Sequence, residues 1–383
     1  MDAMTMHHGS AIARIVIMLV AAATVVTGCA DGFAEQDRNR DAGQFSTNPN
    51  PPLQQQEQTP SSPPPTDPGA PTGPCPDPDP TVIATCLDTT SGVLPGNADA
   101  TATVVAQRTT GKIVRTKRGG PTQDVASFEV DASGDGGLLD FAFSPDFAQD
   151  QLLYAYITTP TDNRVVRLAP NDVPKPILVG IPKGPVGNMG TIYFKSPTEL
   201  LVATGDAGDP QSASDPSSLA GKILSVTDLA SGSTTPPRVL TSGLGSNPAL
   251  CPDVATGALY LTDRAPAEDR LQLISATGVA RTLWTWPDKP ETAGCAAVNG
   301  MIMVSQTRTQ RLQALAAPTE EKPTTAEPVT VLEKRYGSLG RLTAVAGGLF
   351  QVATVNKQTG TAGPTDDRVI IIPMPQGPAD TNI

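Results

Sequence analysis

Histidine is nearly absent from this 383-residue sequence, which contains only His7 and His8. Both precede an apolar run, "IVIMLVAAATVV", that has Arg14 ahead of it and "VTGC" behind it. A small residue followed by Cys after a short apolar segment is typical of a lipoprotein signal peptide, cleaved before Cys29. Cleavage there removes both histidines. The mature chain would then exclude a His general base, a His-based triad and a His metal site.

Charged and aromatic residues are also scarce. They make up 17 % and 4 % of the sequence, and the formal net charge is −11. This acidic balance argues against nucleic acid as a partner, because nucleic-acid binding needs a basic surface. Glycine and proline are abundant (35 and 39 residues), and no segment beyond the signal peptide has a convincing 3.6-residue periodicity. The composition therefore favours a turn-rich, all-β protein.

The apolar run also allows a plain secretory signal or a short membrane helix. It is too short to span a bilayer comfortably, and the Cys after "VTG" favours lipidation. We predict that residues 1–28 are a signal peptide and that acyl chains on Cys29, such as palmitate, anchor the exported protein to the outer face of the cell membrane.

Residues 29–80 are rich in proline and poor in apolar side chains, with twelve prolines between positions 51 and 80. Such a segment cannot bury enough apolar surface to fold. We predict a disordered tether over 29–80 and a folded domain over 81–383.

Four cysteines remain after Cys29, and an exported protein lies in an oxidising compartment. We pair Cys75 with Cys86 by proximity and Cys251 with Cys295 by elimination, although four cysteines allow three connectivities. A metal site is less favoured because no CxxC pair and no nearby His exist.

Short apolar runs of β type recur in pairs, and the second run of each pair begins with a basic residue. These basic residues recur at intervals of 41 to 58 residues. The first runs are 102–107, 153–158, 200–205, 259–264, 301–306 and 349–354, and the basic residues are Lys112, Arg164, Lys222, Arg270, Arg311 and Arg368. Six units predict a six-bladed β-propeller of four-stranded antiparallel blades. A pair of β-sandwiches would not need the repeated basic residue, which we expect at a solvated strand edge.

Two long stretches resemble a known family. They are "GDGGLLDFAFSPDFAQDQLLYAYIT" (134–158) and "LLVATGDAGDPQSASDPSSLAGKIL" (200–224). They are similar to hallmarks of the glucose/sorbosone dehydrogenases, and the resemblance covers most of 95–373. It implies a six-bladed propeller that binds pyrroloquinoline quinone (PQQ) and calcium and oxidises a sugar hydroxyl with a His base. Combined with the lipid-anchor signal and the tether, it is most similar to mycobacterial envelope lipoproteins of this family.

The residues that carry the family's chemistry are mostly replaced. Gly187 stands at the position of the His, while Thr191, Ser246 and Thr343 stand at positions of Arg. The acidic residue of the first hallmark is present here only as an aspartate, Asp135. An anionic quinone needs cationic partners, and loss of a general base typically costs about 10²–10⁴-fold in rate. We therefore predict a site without catalytic residues that has lost its dehydrogenase chemistry, and no cofactor.

The function favoured by these observations is binding of an envelope protein or a carbohydrate ligand by a non-catalytic propeller. The candidate cleft residues are Gln107, Asp135, Asn188, Asp206, Asn247 and Arg341. One alternative is an aldose dehydrogenase that uses PQQ and calcium, with Asp206 or Asp135 as the base. Another is a lactone hydrolase whose calcium is held by Asn188, Asp206 and Asn247.

The loop that carries Asp206 also contains Asp209 and Asp215, each followed by proline. We interpret Asp209 and Asp215 as turn formers. The runs on either side, 200–205 and 221–226, are expected to be an inner and an outer strand of one blade.

Overall fold

The computed structural model describes residues 75–322 and 325–375. The predicted signal peptide, Cys29 and the tether up to residue 74 lie outside the described residues. Within the described residues no helix is both long and apolar enough to cross a membrane.

The described residues form six four-stranded antiparallel sheets, so the predicted six-bladed propeller is confirmed. Three short helices lie in the loops: α1 (Phe147–Asp150), α2 (Pro210–Ser214) and α3 (Asn356–Thr359). In chain order the strands are β1 (Val82–Ala84), β2 (Thr90–Pro95), β3 (Ala102–Gln107), β4 (Lys112–Lys117), β5 (Gln123–Ser127), β6 (Leu138–Phe143), β7 (Leu153–Thr158), β8 (Asn163–Leu168), β9 (Lys175–Ile181), β10 (Thr191–Ser196), β11 (Glu199–Ala203), β12 (Lys222–Val226), β13 (Arg238–Ser242), β14 (Ser246–Asp253), β15 (Ala258–Arg264), β16 (Asp269–Ile274), β17 (Ala280–Trp286), β18 (Thr292–Val298), β19 (Met301–Gln306), β20 (Arg311–Ala316), β21 (Val329–Glu333), β22 (Leu339–Val345), β23 (Leu349–Thr354) and β24 (Val369–Pro373).

Blades 1 to 5 are made of strands that are consecutive in sequence: β2–β5, β6–β9, β10–β13, β14–β17 and β18–β21. Blade 6 is different, because its outermost strand is β1, which pairs with β24 beside β23 and β22. The first strand of every blade contacts the first strand of both neighbouring blades, and these six innermost strands form a closed ring. Closure by β1 ties the two ends of the domain together in one sheet.

The hydrophobic core is divided among the spaces between neighbouring blades. Each pair of adjacent blades shares one buried apolar cluster. Between blades 2 and 3, for example, Tyr154 packs edge-on against Phe194 with ring centroids 4.9 Å apart. Successive side chains of a strand point to opposite faces of its sheet, so the consecutive buried residues of strands such as β3 and β7 contribute to the layers on both sides of a blade.

Both predicted disulfides are confirmed. Cys75 and Cys86 flank β1, and their Cα atoms are 6.2 Å apart. Cys251 on β14 is bonded to Cys295 on β18, with Cα atoms 5.6 Å apart. The second bridge therefore joins the innermost strands of blades 4 and 5.

The predicted place of the repeated basic residues is wrong. Each lies at or next to the start of the third strand of its blade, which has a paired strand on both sides. Five of them pair with carboxylates: Lys112–Asp124, Arg164–Asp162, Arg270–Asp263, Arg311–Glu333 and Arg368–Asp366. Lys222 is fully buried, and its Nζ donates to the carbonyls of Ala213 (2.7 Å) and Ala220 (2.9 Å). The repeat thus reflects local pairing inside each blade and does not protect a sheet edge.

The two runs around the acidic loop lie in one blade with the first inside the second, as predicted, but neither is the innermost or the outermost strand. Residues 200–203 belong to β11, the second strand of blade 3, because β10 is innermost. The run at 222–226 is β12, the third strand, and β13 is outermost. Periodicity identifies a strand but not its rank in a sheet, which depends on partners far along the chain.

Candidate functional site

Two cavities lie along the centre of the propeller. The upper cavity, of about 520 Å³, is lined by loops and strand ends that include Asp135, Gly187, Asp206 and Asn247. The lower cavity, of about 660 Å³, is lined by stretches of the six innermost strands. Arg341 belongs to the walls of both, so its side chain lies where the two cavities approach each other.

Of the predicted cleft residues, Asp135, Asp206, Asn247 and Arg341 come together in the wall of the upper cavity. Asn188 lies just behind that wall and is buried. Gln107 is placed elsewhere, at the end of β3, where its Oε1 accepts a hydrogen bond from the backbone N–H of Asp88 at 2.6 Å.

The Asp135 carboxylate is held by the turn at 187–188. It accepts hydrogen bonds from the backbone N–H groups of Gly187 (2.7 Å) and Asn188 (3.1 Å) and from Asn188 Nδ2 (2.6 Å). The Asn188 Oδ1 accepts in turn from Asn163 Nδ2 (3.1 Å) and the N–H of Gly184 (3.0 Å). This network orients Asp135 and uses most of its acceptor capacity within the protein.

Gly187, at the position where the family resemblance implies a His, has no space for a side chain. Its φ is +76°, a conformation that L-residues rarely adopt. A Cβ atom placed there would overlap Asp206 Oδ1 and the backbone nitrogen of Gly208. Any side chain at this position would therefore require the acidic loop to move.

Asp206 follows β11, and its side chain is buried at the cavity wall. Its Oδ1 accepts a hydrogen bond from the N–H of Gly208 at 3.0 Å. Burial raises the pKa of the Asp206 carboxyl, and the nearby carboxylates of Asp135 and Asp209 raise it further. The charged groups that perturb Asp206 are therefore both acidic.

The other two aspartates of the loop act as turn formers, as expected. Asp209 accepts a hydrogen bond from the N–H of Gln211 (3.0 Å) and so caps the N-terminus of α2. Asp215 accepts from the N–H of Ser217 (2.8 Å). Both carboxylates are bound to local backbone and lie outside the wall of the upper cavity.

Arg341 is a buried guanidinium that binds three other blades. Its NH1 donates to the Ala293 carbonyl (2.7 Å), and its NH2 donates to Asn247 Oδ1 (2.8 Å) and to the carbonyls of Gly190 and Pro248 (both 3.2 Å). The Nε has no hydrogen-bond partner. Burial lowers the pKa of Arg341 to about 10, so the side chain remains charged at neutral pH.

The upper cavity also contains polar residues that the sequence analysis did not select. They are Thr90, Ser91, Arg264, Asp269, Lys289, Glu291, Thr307 and Gln358. Arg264 ends β15 and Asp269 begins β16, which are the second and third strands of blade 4. Asp206 lies on the equivalent connection in blade 3, between β11 and β12. That equivalence within the repeat was the available signal.

The charged residues among these make hydrogen bonds and ion pairs within blades 4 and 5 and the loops between them. The Nε of Arg264 donates to the Thr292 carbonyl (2.8 Å), and its NH1 lies 3.6 Å from Glu291 Oε2. Lys289 Nζ donates to the Pro266 carbonyl at 2.9 Å. Asp269 Oδ2 accepts from the N–H of Thr292 at 2.7 Å, whereas its Oδ1 is buried without a partner.

The calcium site of the proposed lactone hydrolase gets little support from this arrangement. The Oδ1 atoms of Asn188 and Asn247 already accept hydrogen bonds, from Asn163 and from Arg341. Among residues 75–322 and 325–375, no group of three or more His, Cys, Asp or Glu side chains is disposed to hold a metal ion.

The lower cavity contains a single strongly perturbed acid among the described residues that line it, Asp140 on β6. Its Oδ2 accepts from the N–H of Ile192 at 2.8 Å. Burial raises the pKa of Asp140 to about 6, against an opposing effect of Arg341.

This shift predicts a pH dependence of stability. Since the pKa of Asp140 in the folded state lies above its ordinary value of 3.8, the folded protein holds the proton more tightly. The stabilisation is complete below about pH 4 and is lost as pH rises through about 6, by at most about 3 kcal/mol. Asp140→Asn cannot ionise, so urea unfolding should show a smaller fall in stability between these pH values. Exposed Asp146→Asn should follow wild type; identical pH profiles for all three proteins would contradict the assignment.

Comparisons with known proteins agree with the fold and the resemblance. The family described as glucose/sorbosone dehydrogenase matches residues 97–278. No curated protein sequence matches the chain. The similarity to mycobacterial lipoproteins stays a prediction.

Several solved structures share the architecture. The PQQ-bound aldose sugar dehydrogenase of Streptomyces coelicolor is 28 % identical, with a TM-score of 0.67, over 76 % of this chain and 95 % of that one. A putative oxidoreductase (glucose dehydrogenase) of Thermus thermophilus is 27 % identical, with a TM-score of 0.65, over 76 % of this chain and 98 % of that one. The apo aldose sugar dehydrogenase of Escherichia coli shares the fold. It is 17 % identical, with a TM-score of 0.61, over 76 % of this chain and 98 % of that one.

Proposed function

We propose that this chain is a glucose/sorbosone dehydrogenase family member that has kept the propeller, has lost the sugar-oxidising site, and binds a ligand in its upper cavity. The observation that carries the proposal is the backbone at Gly187. The position where the family resemblance implies a His base has a left-handed conformation and no space for a Cβ atom.

The residues of the upper cavity do not fit PQQ in the way that the resemblance implies. An anionic quinone needs cationic partners with free donors. Arg341 directs its NH1 and NH2 groups at four protein acceptors, and only its Nε lacks a partner. Thr191 and Ser246 supply no charge at the positions of two further arginines. A role in binding is consistent with this loss, because a fold can persist after its chemistry has changed.

The proposal includes export and anchoring. The apolar segment and the "VTGC" sequence support a lipid on Cys29, which would hold the propeller at the outer face of the cell membrane. Fractionation of a Cys29→Ala variant checks this: the protein should leave the membrane fraction, and retention there would count against the lipid anchor.

The test of lost catalysis is spectroscopic. The purified protein is mixed with PQQ and calcium, and the absorbance of bound quinone and dye reduction with aldoses are measured. The Streptomyces coelicolor enzyme, whose structure contains PQQ, is the positive control. We expect no quinone-dependent dye reduction by this protein. Gly187→His should not create activity and should lower the melting temperature, because the new side chain overlaps the acidic loop. Turnover by the wild-type protein would overturn the proposal.

The alternative, an aldose dehydrogenase dependent on PQQ and calcium, has one observation in its favour. The Asp206 carboxylate lies directly beside Gly187, and its pKa is raised by burial, as a carboxylate base would require. The same assay decides between the two: turnover that is lost in Asp206→Asn would support the alternative.

A further inference from the structure

We infer that the lower cavity is a second binding site, which takes an aliphatic molecule with a hydroxyl group at one end. The hydroxyl lies at Asp140, and the chain lies along the first strands of the blades. This site is separate from the upper cavity, to which the proposed function refers, so neither site depends on the other.

The lower cavity is the larger of the two, at about 660 Å³ against about 520 Å³. Its wall is mainly apolar and takes side chains from the first strand of every blade, for example Val93, Ile192, Leu250 and Leu342. The polar side chains among the described residues of the wall are Asp140, Thr191, Tyr193, Asp253, Arg341 and Thr343. A concave, apolar wall of this size with a few polar groups is typical of small-molecule sites.

The two ends of the lower cavity differ in polarity. Asp140 and Arg341 are the third residues of β6 and β22, near the strand starts that face the upper cavity. At the other end, the mouth is formed by residues that follow the ends of β14 and β22, and Val254, Ala255 and Ala346 are exposed there. Val254 is 85 % exposed. A ligand that matches this wall has its polar group at the inner end and its apolar part toward the mouth.

Asp140 is the carboxylate that a ligand in this cavity can reach. It is partly exposed, whereas Asp253, the other acid of the wall, is buried and accepts from the N–H groups of Ala255 and Gly300. Asp140 Oδ2 accepts from the N–H of Ile192, and a carboxylate has about four acceptor positions. Loss of water raises the pKa of Asp140 to about 6, and a donor from a ligand would offset part of that cost.

The charges at the inner end favour a neutral donor. Arg341 directs its NH1 and NH2 groups at four protein acceptors, and its Nε is buried. An anionic group would therefore meet the Asp140 carboxylate without a free donor to offset the repulsion. An ammonium group would have to share that carboxylate with the guanidinium charge, which already acts on Asp140. A hydroxyl donates to Asp140 and avoids both costs.

The length of the cavity limits the chain. Leu250 lies level with Asp140, because its N–H donates to Thr191, the neighbour of Ile192. From Leu250 to Val254 at the mouth the chain advances four residues, or about 13 Å. An extended chain advances roughly 1.2 Å per bond, so about ten carbons fit between Asp140 and the mouth.

The test compares ligands that differ in chain length or in one terminal group. Binding of 1-hexanol, 1-octanol and 1-decanol to the purified protein is measured by calorimetry at about pH 8, above the pKa of Asp140. We expect affinity to rise about tenfold for every two carbons. The ether 1-methoxynonane has as many heavy atoms as 1-decanol but no donor, and it should bind about tenfold more weakly. Decanoate and decylammonium should also bind more weakly than 1-decanol.

Two pairs of variants locate the ligand. Asp140→Asn removes the charge and should reduce the preference for 1-decanol over the ether to about threefold or less, whereas exposed Asp146→Asn should keep it. Thr343→Trp fills the cavity and should weaken binding of all three alcohols about tenfold or more. Thr330→Trp, at an exposed position of β21, should bind like wild type. The melting temperature of each variant without ligand shows whether it is folded.

The inference is overturned if no alcohol binds, or if affinity does not rise with chain length. It is also overturned if the ether, decanoate or decylammonium binds as tightly as 1-decanol, since Asp140 would then not select a hydroxyl. Unchanged affinity in folded Thr343→Trp would place the ligand outside the cavity. None of these results bears on quinone-dependent turnover, which tests the proposed function by itself.

Discussion

Replacing Arg341 with methionine should lower the free energy of unfolding by about 3–5 kcal/mol. Arg341 lies on β22 of blade 6, and its guanidinium binds backbone or side-chain oxygens that belong to blades 4 and 5 and to Gly190, the residue before β10 of blade 3. Methionine fills a similar volume but donates no hydrogen bond. Four acceptors at the centre of the propeller would lose their donor, and buried acceptors without partners are costly.

Urea unfolding of both proteins measures the effect. Arg341→Lys keeps the charge but not the planar arrangement of donors, so we expect an intermediate loss. Arg238→Met is the matched control, because Arg238 is largely exposed and its ion pair with Glu199 spans 3.9 Å. It should change stability by less than about 0.5 kcal/mol. If the loss of stability in Arg341→Met were as small as that in Arg238→Met, the hydrogen bonds of the Arg341 guanidinium would not contribute to stability.

Removing the disulfide between Cys251 and Cys295 should cost about 4 kcal/mol. The two cysteines are 44 residues apart in sequence, and a closed loop of that length restricts the unfolded chain strongly. Both side chains are buried between blades 4 and 5, so a double alanine variant also loses packing. The expected result is a lower midpoint of urea unfolding for the double variant than for oxidised wild type.

The other disulfide is the internal comparison. Cys75 and Cys86 are only 11 residues apart, so the same reasoning gives a smaller loss of about 3 kcal/mol for their double alanine variant. Reducing agent should destabilise wild type by more than either double variant. A larger loss from the pair at 75 and 86 would show that closure of blade 6 by β1, and not loop length, dominates.

Much of the fold follows from local patterns. The runs predicted at 102–107, 153–158, 301–306 and 349–354 coincide with β3, β7, β19 and β23. A short apolar run between turn signals specifies a strand wherever it occurs, and six repeats specify six blades. These four strands are buried on both faces, not half-buried as an alternating pattern would predict. The cysteine pairs were also predictable once the compartment was inferred.

The rank of each strand was not predictable from such patterns. Val82 on β1 pairs with Ile370 on β24, almost the whole length of the domain away. No local signal predicts that pairing, because it depends on the ring closing. The same limit explains why the repeated basic residues were expected at edges and lie on third strands.

For the candidate site too, part could be predicted from the sequence and part depended on the tertiary structure. The sequence alone placed Gly187 where the family resemblance implies a His, and it made Asp135, Asp206, Asn247 and Arg341 candidates for a cleft. Only the tertiary structure decided that those four side chains share one cavity, that Gln107 does not, and that Arg264 and Asp269 join them. It also decided that no side chain fits at Gly187, because Asp206 and Gly208 come from a different loop. Residue identity is local, whereas the space and the partners of a residue are set by strands brought together around the ring.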